Sequence, residues 1–238
     1  LFILSAKNNK PTKKIAEVKN DLINNITHEF KTPIATIGVA LESIKDFNII
    51  DDKEKTKKYL NLSSSQLGKL NTMVEKLLET ATLDSGNLDL NRDTIDLVAL
   101  VSLLVEKHQM QTNSKTLTFN TSAAETRIYI DVFHFENAIN NIVDNAIKYG
   151  GDDISISINK KNKTTEILIS DNGKTLTKQE AAQIFDKFYR VPKGNTHDVK
   201  GFGIGLYYTK KIIEKHNGNI SVSISNGTTF KITIPNER

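Results

Sequence analysis

The chain contains no cysteine, which excludes disulfides and thiolate metal sites and fits a reducing compartment. Its five histidines show no HExxH or similar metal-ligand spacing. No apolar run approaches the roughly 18–20 residues of a membrane span. Charge of one sign is scarce as well: 32 Lys and Arg stand against 28 Asp and Glu, a net +4 spread along 238 residues. So small an excess describes a solvated surface, and without a clustered basic stripe a nucleic-acid partner is not expected. No GxxxxGK[ST] sequence is present, which disfavours a Walker-type nucleotide site. There is no internal repeat, and no low-complexity stretch beyond Ser63-Ser64-Ser65.

What remains is a chain with 38% hydrophobic residues, enough for a packed core, and a length that suits one large domain or two modest ones. Leu1-Phe2-Ile3-Leu4 followed by polar sequence reads as a linker or the stub of a membrane helix over residues 1–14, or as the start of a coiled coil. From there Ile15, Val18, Leu22, Ile26, Phe30, Ile34, Ile37, Leu41 and Ile44 recur at steps of three and four, the stripe of an amphipathic helix. Asp46 to Asp52 suits a turn. A second helix carries Tyr59, Leu62, Leu67, Leu70, Met73, Val74, Leu77, Leu78 and Ala81 and should stop near Ser85-Gly86. Residues 15–85 thus read as a helical hairpin. A lone hairpin leaves part of its stripe in water, and two of them bury it as a four-helix bundle, so a homodimer is expected.

Beyond a boundary near Ser85-Asn87 the pattern changes. Short β-type runs cover Leu88–Leu90, Lys115–Phe119, Arg127–Ile130, Ile154–Ile158, Glu166–Ser170, Ile220–Ile224 and Thr229–Ile234. Helical segments near Leu97–Gln109, Val132–Tyr149 and Ile204–His216 lie between them. The expected fold is therefore α+β: a hairpin forming a dimeric bundle, then an α/β sandwich over residues 88–238.

Two sets of residues carry chemistry. The first is Ile26-Thr27-His28-Glu29-Phe30-Lys31-Thr32-Pro33. Ile26 and Phe30 share the buried face, so His28 lies roughly 200° from Ile26 and points to solvent. A lone surface histidine is usually inert, but here Glu29 can fix the ring tautomer and leave the other nitrogen as a nucleophile. Thr32, one turn on, shares the face of His28 and can hold a water there. Pro33 removes the hydrogen bond to the Glu29 carbonyl and loosens the helix, unless it is merely a tolerated kink.

The second set is dispersed. Asn141, Asn145 and Lys148 fall on one face of a helix, where amide oxygens can coordinate Mg²⁺ and the lysine can meet phosphates. Ile167-Leu168-Ile169-Ser170-Asp171-Asn172-Gly173 ends a strand in a carboxylate that can accept from the amine of adenine, although Asp-Asn-Gly is also an ordinary turn. In Ile184-Phe185-Asp186-Lys187-Phe188-Tyr189-Arg190 two aromatics can pin a mobile loop, and Arg190 can reach a phosphate. Gly201-Phe202-Gly203-Ile204-Gly205-Leu206 opens a helix whose N–H groups favour phosphate, yet no strand leads into it and a Rossmann reading fails.

In this order and spacing the segments resemble the transmitter core of sensor histidine kinases, from about Val18 to Pro235. His28 to Pro33 is similar to the family's H box, Asn141 to Tyr149 to its N box, and Asp171-Asn172-Gly173 to the first glycine box. Phe185 to Arg190 resembles the F box, Gly201 to Leu206 the second glycine box, and Gly227-Thr228-Thr229-Phe230 the last strand motif. The resemblance implies ATP and Mg²⁺ as cofactors, and autophosphorylation of His28 assisted by Glu29. Transfer to a response-regulator aspartate follows, with Thr32 serving its dephosphorylation. It implies that Asn145 binds the metal, that Asn141 and Lys148 lie near the phosphates, and that Tyr149 lies beside the base. Asp171 would read the adenine amine with Gly173 giving room, while Phe188, Arg190, Gly201, Gly203, Gly205 and Leu206 belong to the lid, and Thr228 to the closing strand. It further implies the cytoplasmic portion of a membrane-anchored bacterial protein. The chain departs from the family at Thr175 and at Asn217, where glycines are usual, and in the short segment Ser225 to Thr228. A plain ATPase of the gyrase and chaperone type, or a weakly active docking scaffold, are the competing readings. The first lacks its water-activating glutamate, since Asn141 stands in that place.

Overall fold

The computed structural model describes residues 10–46, 49–112, 114–173, 176–191 and 202–236, with side chains from Ile23 onward apart from Asn25. The chain divides into two compact units, one built on residues up to Ala81, with Phe202 grouped with it, the other beginning at Thr82.

The first unit is helical. Helix α1 spans Lys10–Asp46 and α2 spans Lys53–Asp84, joined through a 3₁₀ turn at Ile49–Asp51. The turn is closed by its own polar groups: the Thr56 hydroxyl donates to the Ile49 carbonyl at 2.7 Å, and Asp52 accepts from the Lys55 N–H at 3.1 Å. α1 begins inside the stretch read as a linker and runs through Pro33 without ending. α2 stops at Asp84, and Gly86 follows at φ +77°, the left-handed conformation that glycine adopts without strain after a helix. Ile26, Phe30, Ile37 and Ile44 are half-buried, as are Leu70, Met73 and Leu77. A second row is not covered: Ile34 and Leu41 on α1, and Leu60, Leu67 and Val74 on α2, are all exposed at steps of seven. That spacing is the repeat of a coiled-coil seam.

The second unit is a sheet with helices on one face. Its elements run β1 (Asp93–Asp96), α3 (Leu97–Gln111), β2 (Thr116–Thr121), β3 (Arg127–Ile130), α4 (Val132–Tyr149), β4 (Asp153–Lys160), β5 (Thr164–Asp171), α5 (Lys178–Ala181), α6 (Gly205–Lys215), β6 (Asn219–Ile224) and β7 (Thr228–Pro235). The main sheet has the order β2-β4-β5-β7-β6, with β2 parallel to β4 and every other pair antiparallel. β1 and β3 form a separate antiparallel ribbon. Two sequence expectations need correction. Leu88–Leu90 is not a strand, and the strand that was not foreseen is Asp93–Asp96. The Leu88 run is short and apolar, but the N–H groups of Asp93–Asp96 are the ones with a partner strand to pair with.

Period-two burial sets the sheet's inner face: Ile154, Ile156 and Ile158 on β4, Thr165, Ile167, Ile169 and Asp171 on β5, and Thr228, Phe230, Ile232 and Ile234 on β7. α4 packs Phe135, Ile139, Ile142, Val143 and Ala146, a helical stripe, against this layer. The N-cap of α4, Asp131, accepts from the His134 N–H at 3.0 Å and from the Asn91 N–H at 2.8 Å, a cap worth about 1 kcal/mol. The last turn of α2 belongs to this unit: Leu83 is buried beside Ala138, Tyr208 and Ile212.

Candidate functional site

His28 is exposed on α1, flanked by half-buried Ile26 and Phe30, as its position on the helical wheel requires. Thr32 is also exposed, and its hydroxyl donates to the His28 carbonyl at 3.3 Å. Glu29 is half-buried and Pro33 is buried. Proline has no N–H, so the Glu29 carbonyl lacks its helical donor while its neighbour, the His28 carbonyl, gains a hydroxyl. His28, Lys31, Thr32, Val39, Tyr59 and Leu62 are among the residues lining an open groove of the hairpin, about 520 Å³ in volume.

In the second unit the structure brings sequence-singled residues together in three groups: Asp171 with Gly173 and Thr228, Asn141 with Gly205, and Phe188 with Gly203. Asp171 is the last inward position of β5, in step with Ile167 and Ile169, and stands opposite Thr228, the first inward position of β7. Asp171 is 9% exposed. Its Oδ1 accepts the N–H of Gly173 at 2.8 Å and that of Gly151 at 3.4 Å. The surrounding backbone comes so close that side chains do not fit. A Cβ on Gly150 would lie 2.6 Å from Asp171 Cγ, and one on Gly173 would lie 2.8 Å from Asp171 Oδ1. Gly227, at φ +145°, lies against the Asp171 backbone where a Cβ would overlap the carbonyl oxygen. Asn172 is turned outward and bonds Asp153 through both its amide and its backbone.

Asn141 and Asn145 are half-buried on α4, one turn apart, beside its buried stripe. The Asn141 amide donates to the Gly205 carbonyl at 3.3 Å, which joins α4 to the start of α6. Lys148 is exposed with its ammonium 3.7 Å from Asp144, and Tyr149 is half-buried at the last turn. The segment around Phe188 is clipped to the glycine-rich segment: the Phe188 N–H donates to the Gly203 carbonyl at 3.0 Å, with Phe188 itself at φ +68°. A left-handed phenylalanine is strained, by about 1–3 kcal/mol. Arg190 and Leu206 are half-buried, the latter against the core. Gly201 and Thr175 lie outside the described residues.

Lys187 of the same segment pairs with Asp84, which also accepts from the Tyr207 hydroxyl. Burial and then the Asp84 bond push the Tyr207 hydroxyl up to about 12. Burial alone would raise the Asp84 carboxyl, but the Lys187 and Tyr207 bonds outweigh it and hold it below the ordinary value. Asn217, where the family usually has glycine, sits at φ +57°, a conformation asparagine tolerates better than most residues, so the departure keeps the turn after α6. The sequence reading places Gly227 in the last strand motif without a role at the site and does not single out Gly150 and Gly151, for which the glycine pair directly after Tyr149 is the available signal.

Residues 18–86 match the family described as His Kinase A (phospho-acceptor) domain, and residues 130–238 match the Histidine kinase-, DNA gyrase B-, and HSP90-like ATPase family. The Sensor protein RprX of Bacteroides fragilis is 39% identical over 236 residues, 94% of this chain and 44% of the relative. The Sensor protein SrrB of Staphylococcus aureus is 31% identical over 224 residues, 92% of this chain and 38% of the relative. The chain thus spans less than half the length of these curated relatives. Among solved structures, the Acinetobacter baumannii histidine kinase AdeS superposes with a TM-score of 0.67 at 24% identity, covering 89% of this chain and 98% of that one. The histidine kinase ThkA, in complex with the response regulator protein TrrA, gives 0.66 at 23% identity, covering 96% of this chain and 65% of that one. These two likenesses speak for the fold, and the family matches speak for descent: the chain belongs to the sensor histidine kinases, as a transmitter core made of a phosphoacceptor domain and an ATPase-fold domain.

Proposed function

We propose that this chain phosphorylates its own His28 from ATP and passes the phosphoryl group to an aspartate of a response-regulator receiver domain. One observation carries the reading: a single chain joins an exposed histidine, on a helix matching the phosphoacceptor family, to an ATPase-fold unit whose strand-end carboxylate Asp171 is fixed in a glycine-walled recess.

A ring nitrogen of His28 attacks the γ-phosphorus in line. An N–P bond forms, the bond to the bridging oxygen breaks, and its electron pair leaves with ADP. The Glu29 carboxylate takes the proton from the other ring nitrogen, which keeps the phosphorylated ring neutral. In the onward step a receiver carboxylate oxygen attacks the same phosphorus and the N–P bond breaks. The imidazole then recovers its proton. Asp171 would accept from the adenine amine through the oxygen that its Gly173 and Gly151 bonds leave available. Asn145 would offer its amide oxygen to Mg²⁺, and Asn141, Lys148, Arg190 and the Gly201 to Gly205 segment would face the phosphates, with Phe188 and Leu206 anchoring that segment. Tyr149 and Thr228 would flank the base. The donor set fits: Asn145 offers a half-buried amide oxygen on α4, one turn from Asn141, and a magnesium ion arriving with its nucleotide needs only one or two protein oxygens. Bound there, the ion supplies charge neutralisation across the phosphates.

Hydrolysis to free phosphate is disfavoured because Asn141 holds the position a base would need, and an amide takes no proton. The exposed row Ile34, Leu41, Leu60, Leu67 and Val74 supports a homodimer through the hairpin. The ThkA complex supports a receiver-domain partner. The curated relatives are named sensor proteins, which supports a signalling role, and placing the chain as the cytoplasmic portion of a membrane-anchored protein rests on the family resemblance; no described helix is long and apolar enough to cross a membrane.

Calorimetry with Mg-ATP tests the division of labour. His28→Gln should bind nucleotide like the wild type and incorporate no phosphate, whereas Asn145→Ala should lose magnesium-dependent binding. Phosphate incorporation into His28→Gln, or unchanged binding by Asn145→Ala, would contradict the proposal.

A further inference from the structure

Lys115 lies just before β2, far in sequence from every motif residue, and is half-buried. Its ammonium donates to two consecutive carbonyls, Gly150 at 3.0 Å and Gly151 at 3.1 Å. These carbonyls belong to the connection between α4 and β4, the same two residues that wall the Asp171 carboxylate. The Gly151 N–H bonds Asp171 Oδ1, and Gly150 is packed so closely on Asp171 that no Cβ fits. The Gly150 N–H is itself committed to the Ala146 carbonyl at 2.9 Å. A two-glycine connection has the widest backbone freedom of any dipeptide, so something must select one conformation from many. The helix end supplies one tie and the Lys115 ammonium supplies two. The backbone beside it adds another, with the Thr116 N–H donating to the Asp152 carbonyl at 2.8 Å.

We infer that Lys115 is a positioning residue for base recognition: by clamping the Gly150 and Gly151 carbonyls it aims the Gly151 N–H at Asp171 Oδ1 and so orients Asp171 toward the adenine amine. This rests on the reading of Asp171 as the base-reading carboxylate. The chain of control is short: ammonium to carbonyl and the next residue's N–H to carboxylate are contacts in the structure, and carboxylate to base is the link the reading of Asp171 adds. Losing the clamp frees the glycine pair and weakens the Gly151 bond, so that Asp171 Oδ1 is held by the Gly173 N–H and the carboxylate can tilt about that bond. The phosphate side of the pocket, carried by Asn141 and Asn145 on the body of α4, stays in place. The effect should therefore fall on which base is bound and leave the response to magnesium intact.

The test is competitive binding of Mg-ATP and Mg-GTP to the purified 238-residue chain, in wild type, Lys115→Met, Lys115→Arg and Asp171→Asn. Lys115→Met keeps the apolar stem and removes the donors. It should lower the ATP-to-GTP preference about tenfold, the scale of one charge-assisted hydrogen bond, with the magnesium dependence of binding unchanged. Lys115→Arg, which retains donors, should recover most of the preference. A role confined to general stability would weaken both nucleotides alike and leave the ratio alone, so an unchanged ratio in Lys115→Met with a collapsed ratio in Asp171→Asn overturns the inference. An unchanged ratio in Asp171→Asn overturns the reading of Asp171 on which it stands. Should Lys115→Met not fold, Lys115→Gln, which keeps a donor to one carbonyl, must show an intermediate ratio; wild-type preference there likewise overturns it.

Discussion

His216 shows how much a single side chain is asked to hold. It is buried at the end of α6, and its Nε2 accepts the Asp131 N–H at 2.9 Å while its Nδ1 bonds the Ile212 carbonyl at 2.8 Å. A carbonyl only accepts, so Nδ1 carries the proton and Nε2 the lone pair: the tautomer is fixed by its partners. The ring thereby ties α6 to Asp131, the N-cap of α4, and so to the helix bearing Asn141 and Asn145. Burial, more than it is opposed by the Ile212 bond, holds the ring's pKa below its ordinary 6.5, and the nearby Arg92 charge acts in the same direction. The folded state therefore favours the neutral ring. As pH falls below about 6.5 the unfolded chain takes a proton that the folded chain refuses, and stability drops until the folded value is passed. The wild-type urea midpoint should fall between pH 7.5 and pH 5.5 more steeply than that of His216→Gln. Parallel pH profiles for the two would show that the ring makes no such contribution.

Helix α1 concentrates both directions of the proposed reaction in about one turn. Thr32 follows His28 by one turn, is exposed, and spends its hydroxyl proton on the His28 carbonyl, leaving the oxygen's lone pairs turned outward. An acceptor beside the phosphorylated side chain can hold a water for attack on a phosphoaspartate docked there. Thr32→Ala should keep autophosphorylation, which relies on Glu29, and slow regulator dephosphorylation about tenfold, roughly 1.4 kcal/mol of barrier. Equal regulator-phosphate half-lives with wild type and variant would reduce Thr32 to a helix-surface residue. The two helices together make a second demand. Leu60, Leu67 and Val74 recur at seven-residue steps and are 51%, 56% and 42% exposed. Leaving such a row in water costs about 25 cal/mol for each Å² of apolar surface, so a second copy should cover it. Light scattering should report a dimer for the wild type and a monomer for the Leu60→Lys, Leu67→Lys, Val74→Lys triple variant. A monomeric wild type at micromolar concentration would contradict the seam.

At the scale of the whole chain, the sequence disclosed the parts whose pattern is periodic or whose residues are chemically distinctive. The helix stripes of α1, α2 and α4 were legible because three-and-four spacing is a long signal. The inner face of β5 was legible because Ile167, Ile169 and Asp171 alternate, which also places the carboxylate at a strand end. The β1 strand, Asp93–Asp96, was not legible because it is short and polar and depends on pairing with Arg127–Ile130. Nor was the role of Lys115, because a lysine near a strand looks like any surface lysine until the Gly150 and Gly151 carbonyls are seen to converge on it. The Lys187–Asp84–Tyr207 group was hidden for the same reason: its members are separated by 103 and 123 residues. Tertiary contacts between ordinary residues leave no mark in one sequence, whereas the motif residues announce themselves by unusual chemistry.

The central claim is that the γ-phosphoryl group of ATP ends on the His28 ring, and one measurement addresses it directly. The purified chain is incubated with γ-labelled Mg-ATP, and the protein-bound label is then challenged with acid and with alkali. A phosphoramidate on imidazole should be lost in acid and survive alkali, map to the peptide containing His28, and be absent from His28→Gln. Label that resists acid, or that persists in His28→Gln, would contradict the account.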